Sequence, residues 1–275
     1  MEQITKNVFV ETQWRGANTS FVVTSEGIVL IDVPPDADKA QSWAAEISKK
    51  GQIRYVLNTE AHHDHWITNS LFGGVVIAHQ ATREIMLIMD HNFIRSRTSL
   101  LYKEPLNFPD DVELKLPDVT FSEHMTIRLG KHTFQVIHTP GHTEGQIAVY
   151  VPEEKVVFPG DSVLNGIRTP FHDAITDRRW LDSMKVLEDL EVRFIVPGHG
   201  NVSSDKGLLK TQTAVVQGFF KAMQEGRTKG VMVPSEVHRS FDPFYDNQPQ
   251  GVNPGGVVLA PSIVSKETGK HGELE

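Results

Sequence analysis

The sequence predicts an α/β protein: a four-layer αββα sandwich of two mixed β-sheets flanked by helices. Two observations point to it. The first half of the chain reads as strands followed by a helix, and the second half repeats that order. Four short polar signals (59–65, 139–142, 159–161 and 197–200) also place a His or Asp just past an apolar, β-branched run. That is how side chains are gathered at one edge of a sheet.

Taken in order, residues 8–10, 20–24 and 28–32 read as strands, with a turn at Ser25-Glu26-Gly27. Pro34-Pro35 stops the third strand, Asp38 caps a helix through Lys49, and Gly51 ends it. A strand over 54–58 leads into the first polar signal. A short helix is expected over 66–72, ended by Gly73-Gly74, then a strand over 75–78 and a helix over 80–90. Residues 91–118 mix aromatics, prolines and charges and predict an irregular or partly helical insertion. Such a segment is either a lid or pocket wall, or a surface loop pinned by its own aromatics. Strands follow over 119–121, 125–129, 132–138, 146–151 and 155–158. A helix over 179–190 leads to a strand over 193–196, and a long helix covers 204–226. From Gly230 the composition turns to Pro, Gly and Asn around Phe241, Phe244 and Tyr245. This extension, 230–275, is expected to pack on the domain or on a partner subunit, with a homodimer as one outcome, or to be partly disordered.

Composition narrows the class. A chain of 275 residues with 39% hydrophobic and 23% charged residues can bury a sizeable core. Its net charge of −8 and lack of long basic runs argue against a nucleic-acid partner. No stretch is apolar and long enough to span a membrane. Residues 1–7 lack the basic start and apolar run of a signal peptide, so the expected location is cytoplasmic. With no cysteine, any metal site must use nitrogen and oxygen donors.

The segment Glu60-Ala61-His62-His63-Asp64-His65 carries four such donors in six residues. In an extended loop, residues two apart point the same way, so Glu60, His62 and Asp64 are expected to converge, with His65 turning to the neighbouring position. Asp161 offers two carboxylate oxygens suited to bridging two ions. His142 and His199 each follow a glycine, where the backbone can turn sharply. His63 is expected to point away, and His138 to be packed or hydrogen-bonded in its strand.

These motifs resemble the metallo-β-lactamase superfamily, whose signature is His-x-His-x-Asp-His followed by a distant His, an Asp and a final His. The likeness runs over roughly residues 5–200, within an expected catalytic domain of 1–229. It implies the αββα fold, and two divalent metal ions, zinc first with Mn or Fe as alternatives. It also implies a ligand set of His62 and His142 for one ion, Asp64, His65 and His199 for the other, and Asp161 between them. The first His of the signature is Glu60 here. Either this carboxylate binds metal, or it faces away and leaves the first site weak. With Glu60, Asp64 and Asp161 contributing −3, two divalent ions and a hydroxide bring the site to zero; a histidine at 60 would leave +1. The more neutral site should tolerate harder ions.

The resemblance further implies a hydrolase working on a small-molecule substrate. A metal-bridging water of lowered pKa would attack a carbonyl or phosphorus, with Asp64 steering it and passing its proton on. No Gly-x-Ser-x-Gly elbow offers another nucleophile. A small ester, lactone, thioester or amide is expected, β-lactams included, with Trp66, Phe171 and His172 beside it. The alternatives are an iron-dependent oxygenase or redox enzyme on the same fold, and a non-catalytic metal- or ligand-binding relative.

Overall fold

A computed structural model describes residues 1–101, 104, 106–171, 174 and 178–228. The first sheet has strands β1 (Glu2–Gln3), β2 (Val8–Glu11), β3 (Thr19–Thr24), β4 (Gly27–Ile31), β5 (Ile53–Leu57), β6 (Val75–His79) and β7 (Val119–Phe121), side by side in that order. β1 to β4 are antiparallel and β4 to β7 parallel, so the sheet is mixed. The second sheet runs β12 (Phe194–Ile195), β11 (Val156–Phe158), β10 (Ile147–Val151), β9 (His132–His138), β8 (His124–Leu129). Only its β11–β12 pair is parallel.

Alternation along the strands builds the layers. Val8, Val10, Val22, Val29, Ile31, Leu57 and Ile77 from the first sheet meet Phe134, Val136, Ile147, Val149, Val151 and Phe158 from the second in one buried core. The other face of the first sheet (Phe21, Leu30, Val56, Val76) packs on helix α1 (Ala37–Ser48) through Ala40, Trp43 and Ile47. Their spacing of three and four residues puts these side chains on one helical face. The outer face of the second sheet (Ala148, Tyr150, Val157) takes Trp180, Met184 and Leu187 of α4 (Arg179–Asp189) and Leu209, Val216 and Phe219 of α5 (Gly207–Thr228). Four layers result, as the repeated strand–helix order predicts. Among the described residues no helix is long and apolar enough to cross a membrane.

The departures have local causes. The cap of α1 is Asp36 in place of Asp38, because its extended backbone lets the carboxylate accept Lys39 N at 3.2 Å. In place of one helix over 66–72 there are two 3-10 turns, His63–His65 and Asn69–Leu71. Buried polar side chains hold this stretch against the end of β5. Asn58 Nδ2 donates to His65 O at 3.1 Å, Asn58 and Asn69 exchange side-chain bonds, and Thr68 Oγ1 donates to Pro34 O at 2.6 Å. Helix α2 (Gln80–Leu87) stops before residue 90 because Asp90 Oδ1 accepts Phe93 N and starts a new helix, α3 (His91–Leu101). The insertion is therefore helical at first, and its later part packs Phe108 and Val112 against Trp66 and Ile94. α5 begins at Gly207, past the expected 204, because Ser203 and Asp205 side chains hold the preceding turn. The extension 230–275 lies outside the described residues.

Candidate metal centre

Four loops meet where strands of the two sheets end. The loop after β5 carries Glu60, His62, Asp64 and His65. The β9–β10 connection carries His142, a 3-10 turn after β11 (Gly160–Ser162) carries Asp161, and the loop after β12 carries His199. Backbone geometry fixes their approach. Gly160 has φ 53°, and a Cβ there would overlap the Gln146 amide and crowd Thr59. Gly198 donates its N–H to Gly160 O (3.0 Å) and Val163 O (3.1 Å), which seats the His199 loop directly on the Asp161 turn. Asn18 clamps the same loop, donating from its side chain to Pro197 O (2.8 Å) and Gly200 O (2.7 Å).

The donor atoms converge. Glu60 Oε2 is 2.7 Å from His62 Nδ1, and His142 Nε2 is 3.2 Å from that same nitrogen. His199 Nε2 lies 3.3 Å from both Asp64 Oδ2 and Asp161 Oδ2. Asp161 also faces His65 Nε2 at 3.6 Å and His142 Nε2 at 3.8 Å. Three groups, Glu60–His62–His142, Asp64–His65–His199 and Glu60–His65–Asp161, have donor atoms all within 4.8 Å of one another. Two donors held tetrahedrally at about 2.1 Å from one ion stand about 3.4 Å apart, so the spacings of 3.2–3.8 Å match shared coordination, while Glu60 and His62 at 2.7 Å are as close as a direct ion pair. Glu60 thus points into the centre and not away from it. The expected alternation holds for residues 60 and 62. It ends at the 3-10 turn from His63, which sends Asp64 and His65 to the second group.

Partners behind the imidazoles set their direction. His65 Nδ1 is 2.9 Å from Asp32 Oδ2, and Asp32 also accepts from Thr59 N (2.7 Å) and Thr59 Oγ1 (2.6 Å). His142 Nδ1 donates to Pro170 O at 3.1 Å. A proton held on each Nδ1 leaves the Nε2 lone pair facing the centre. Asp32, Asn18 and Thr59 are site-building residues that sequence reasoning missed. Their one signal is position: Asp32 directly follows β4 with φ 54°, a backbone conformation that Asp tolerates better than most side chains.

The electrostatics follow from burial opposed by opposite charges. Burial pushes the Glu60 carboxyl up, but the imidazoles of His62, His142 and His65 outweigh it and hold it below the usual range. Burial likewise opposes ionisation of Asp64, yet His65, His63 and His199 hold it down to about 2. Burial works against the charged form of His199, but Asp161 and Asp64 lift it to about 9. Burial also disfavours the charged form of His65, while Asp32, Asp161 and Glu60 raise it well above the usual value. Burial raises Asp32, with His65 and Thr59 pulling part of the way back. His63 belongs to none of the three groups, and burial pushes it down to about 4.

The expected substrate contacts fare differently. Trp66 is fully buried, donates Nε1 to Ala61 O at 2.9 Å and packs with Ala37, Met86 and Phe108. Phe171 is 2% exposed and stacks on Phe219 at 3.9 Å. Both fill cores, because the loops that carry them fold their apolar side chains inward. His172 lies outside the described residues. His138 stacks on His79 at 3.9 Å and takes part in a hydrogen bond with Glu144 O, a packing role as expected.

Residues 12–199 match the family model of the metallo-beta-lactamase superfamily. The chain belongs to that superfamily. A lactamase-like protein of Emericella nidulans is 26% identical over 228 residues, covering 78% of this chain; the chain spans 63% of that relative's length. A beta-lactamase-like protein 2 homolog of Caenorhabditis elegans is 27% identical over 95% of this chain and 81% of its own. A type 2 metallo-beta-lactamase of Elizabethkingia meningoseptica is 24% identical over 78% of this chain and 81% of its own. Among solved structures, the metallo-beta-lactamase from Pontibacter korlensis superposes with TM-score 0.61 at 21% identity, over 78% of this chain and 97% of that one. A metallo-beta-lactamase family protein from Thermus thermophilus gives TM-score 0.61 at 18% identity, over 80% and 83%. These likenesses carry the fold.

The donor set of this superfamily member fits a pair of divalent ions. Glu60 Oε1, His65 Nε2 and Asp161 Oδ1 are buried without a hydrogen bond among the described residues. Buried polar atoms in that state are costly unless a ligand meets them. The tight seat of the His199 loop gives a direct test. A Cβ on Gly198 would overlap Asp161 Oδ1 and lie within 3 Å of Gly160 and Asp161 backbone atoms, so side-chain rotation alone cannot relieve it. Gly198→Ala is expected to cost about 1–3 kcal/mol by overpacking and to reduce metal uptake. Thermal melts and elemental analysis check this; wild-type values for both would show that the loop has room.

Proposed function

We propose that this chain is a metal-dependent hydrolase of a small ester, lactone, thioester or amide, with β-lactams within range. The supporting observation is the pair of donor groups, Glu60–His62–His142 and Asp64–His65–His199, that meet at Asp161. These seven residues would hold two divalent ions. Zinc suits the nitrogen and oxygen donors, and Mn or Fe suits the added carboxylate. When bound, such ions supply Lewis acidity and bring the pKa of a water towards neutrality.

The chain's own residues do the rest. Asp32 and Pro170 O hold a proton of His65 and of His142 on Nδ1, so that Nε2 is the nitrogen each turns to the centre. Asp64, held near 2, stays ionised at neutral pH. Its carboxylate can take a proton from an attacking water and deliver it to a leaving group. The names of the relatives support a lactamase-like chemistry without choosing the substrate.

The test joins metal content with turnover. Purified protein is expected to carry two ions per chain and to hydrolyse members of a lactone, ester, thioester and β-lactam panel. Chelation should abolish the activity and metal should restore it. Hydrolysis that survives complete metal removal would sink this reading. Metal uptake should also depend on pH. His199 is lifted to about 9, so below that value a proton competes with the ion for Nε2. Apparent affinity is expected to rise by at least about tenfold per pH unit from 6.5 to 8, with proton release on binding. Calorimetry in buffers of different ionisation heat measures this, and a flat profile would contradict it. The third buried carboxylate, Glu60 beside Asp64 and Asp161, also favours a reading as an iron-dependent oxygenase or redox enzyme. Iron as the dominant element, with oxygen consumption, would select it.

A further inference from the structure

Glu60 is not confined to one donor group. Its Oε2 lies 2.7 Å from His62 Nδ1, while Oε1 lies 3.6 Å from His142 Nε2 and 3.3 Å from His65 Nε2. His62 and His142 belong to one group and His65 to the other. The backbone explains the dual reach. His62 is extended (φ −61°, ψ 141°), and the 3-10 turn that follows brings His65 back to Glu60. Asp161 makes the matching approach, with Oδ2 towards His142 and His199 and Oδ1 towards His65. Glu60 is fully buried, and both of its oxygens face imidazoles of the centre. An imidazole ring at this position could aim only one ring nitrogen inward. The carboxylate offers two donor atoms, and each faces an imidazole of the centre.

We propose that Glu60 is a second bridging carboxylate, one oxygen serving each ion, so that Glu60 and Asp161 together span the pair. The inference rests on the two-ion reading above. The first ion to bind orients Glu60 for the second, which makes uptake cooperative. Two oxygen bridges also favour harder ions such as Mn²⁺ over a softer alternative.

The experiment titrates metal-free wild type, Glu60→Gln and Glu60→His with Mn²⁺ alone. Calorimetry gives the affinities, and the electron paramagnetic resonance signal of unbound Mn²⁺ counts ions taken up. Wild type is expected to bind two ions in one cooperative transition. Glu60→Gln should weaken both ions by more than about tenfold, the scale that even an indirect partner of a metal ligand carries. Glu60→His keeps one donor and should bind its ions in two independent steps. A Glu60→Gln protein that keeps one ion at wild-type affinity would overturn the bridge while leaving the two-ion reading intact. Wild type that takes up fewer than two ions overturns that reading and the bridge with it. Circular dichroism confirms folding. If Glu60→Gln fails to fold, Glu60→His decides, and a single cooperative transition like that of wild type overturns the proposal.

Discussion

Asp161→Asn is expected to cut kcat/KM by at least about 10³-fold, several kcal/mol of the charge stabilisation that a pair of ions supplies to a transition state. The reason is position. Among the described residues, Asp161 is the one side chain that faces His65, His142 and His199 together, at 3.3–3.8 Å. An amide keeps the shape but removes the charge and replaces one carboxylate oxygen with an N–H₂ that has no lone pair to offer an ion. The second ion should also be lost or weakened, so elemental analysis is expected to fall below two ions per chain. Circular dichroism separates this from unfolding. An Asp161→Asn protein within tenfold of wild-type activity would remove Asp161 from the reacting centre.

Asp32→Ala is expected to be the largest stability loss, about 3–5 kcal/mol, the cost of removing one partner from a buried charged pair. Asp32 is 2% exposed and accepts three hydrogen bonds, from Thr59 N, Thr59 Oγ1 and His65 Nδ1. Alanine would orphan Thr59 N, leave Thr59 Oγ1 and His65 Nδ1 only each other at 3.1 Å, and sit at φ 54° without a polar side chain to bond locally. Asp32→Asn isolates the functional part of the role. Its oxygen can still accept Thr59 N, but its N–H₂ would face His65 Nδ1 and force that nitrogen to accept. The His65 proton would then move to Nε2 and point into the centre, where a lone pair is needed. A 10–100-fold loss of metal affinity is expected, with a smaller change in melting temperature. Equal losses of stability and affinity in both variants would mean that Asp32 only packs.

Much of this was legible locally. Strands β2 to β12 and the helices α1 and α4 fall within a residue or two of their predicted places, because apolar alternation acts over short stretches; β1, two exposed polar residues, carries no such pattern and was missed. The donor residues were legible because each lies just past such a strand. Sequence reasoning failed where polar side chains compete with the backbone. Asn58 and Asn69 turned the expected helix over 66–72 into two 3-10 turns. It also failed for large apolar residues near the site, since nothing local distinguishes a pocket-lining Trp66 from one that fills a core.

By itself, then, the sequence determined the sandwich, the order of the loops and the donor types that reach the centre. Each of these follows from period, glycine placement and side-chain chemistry within a few residues. Only the tertiary structure decided that Glu60 faces both donor groups, that Asp32 orients His65 from 33 positions away, and that Asn18 clamps the His199 loop across 179. Those contacts exist because two sheets bring distant segments within hydrogen-bonding distance, and no local pattern records which distant partner a buried carboxylate or amide will meet.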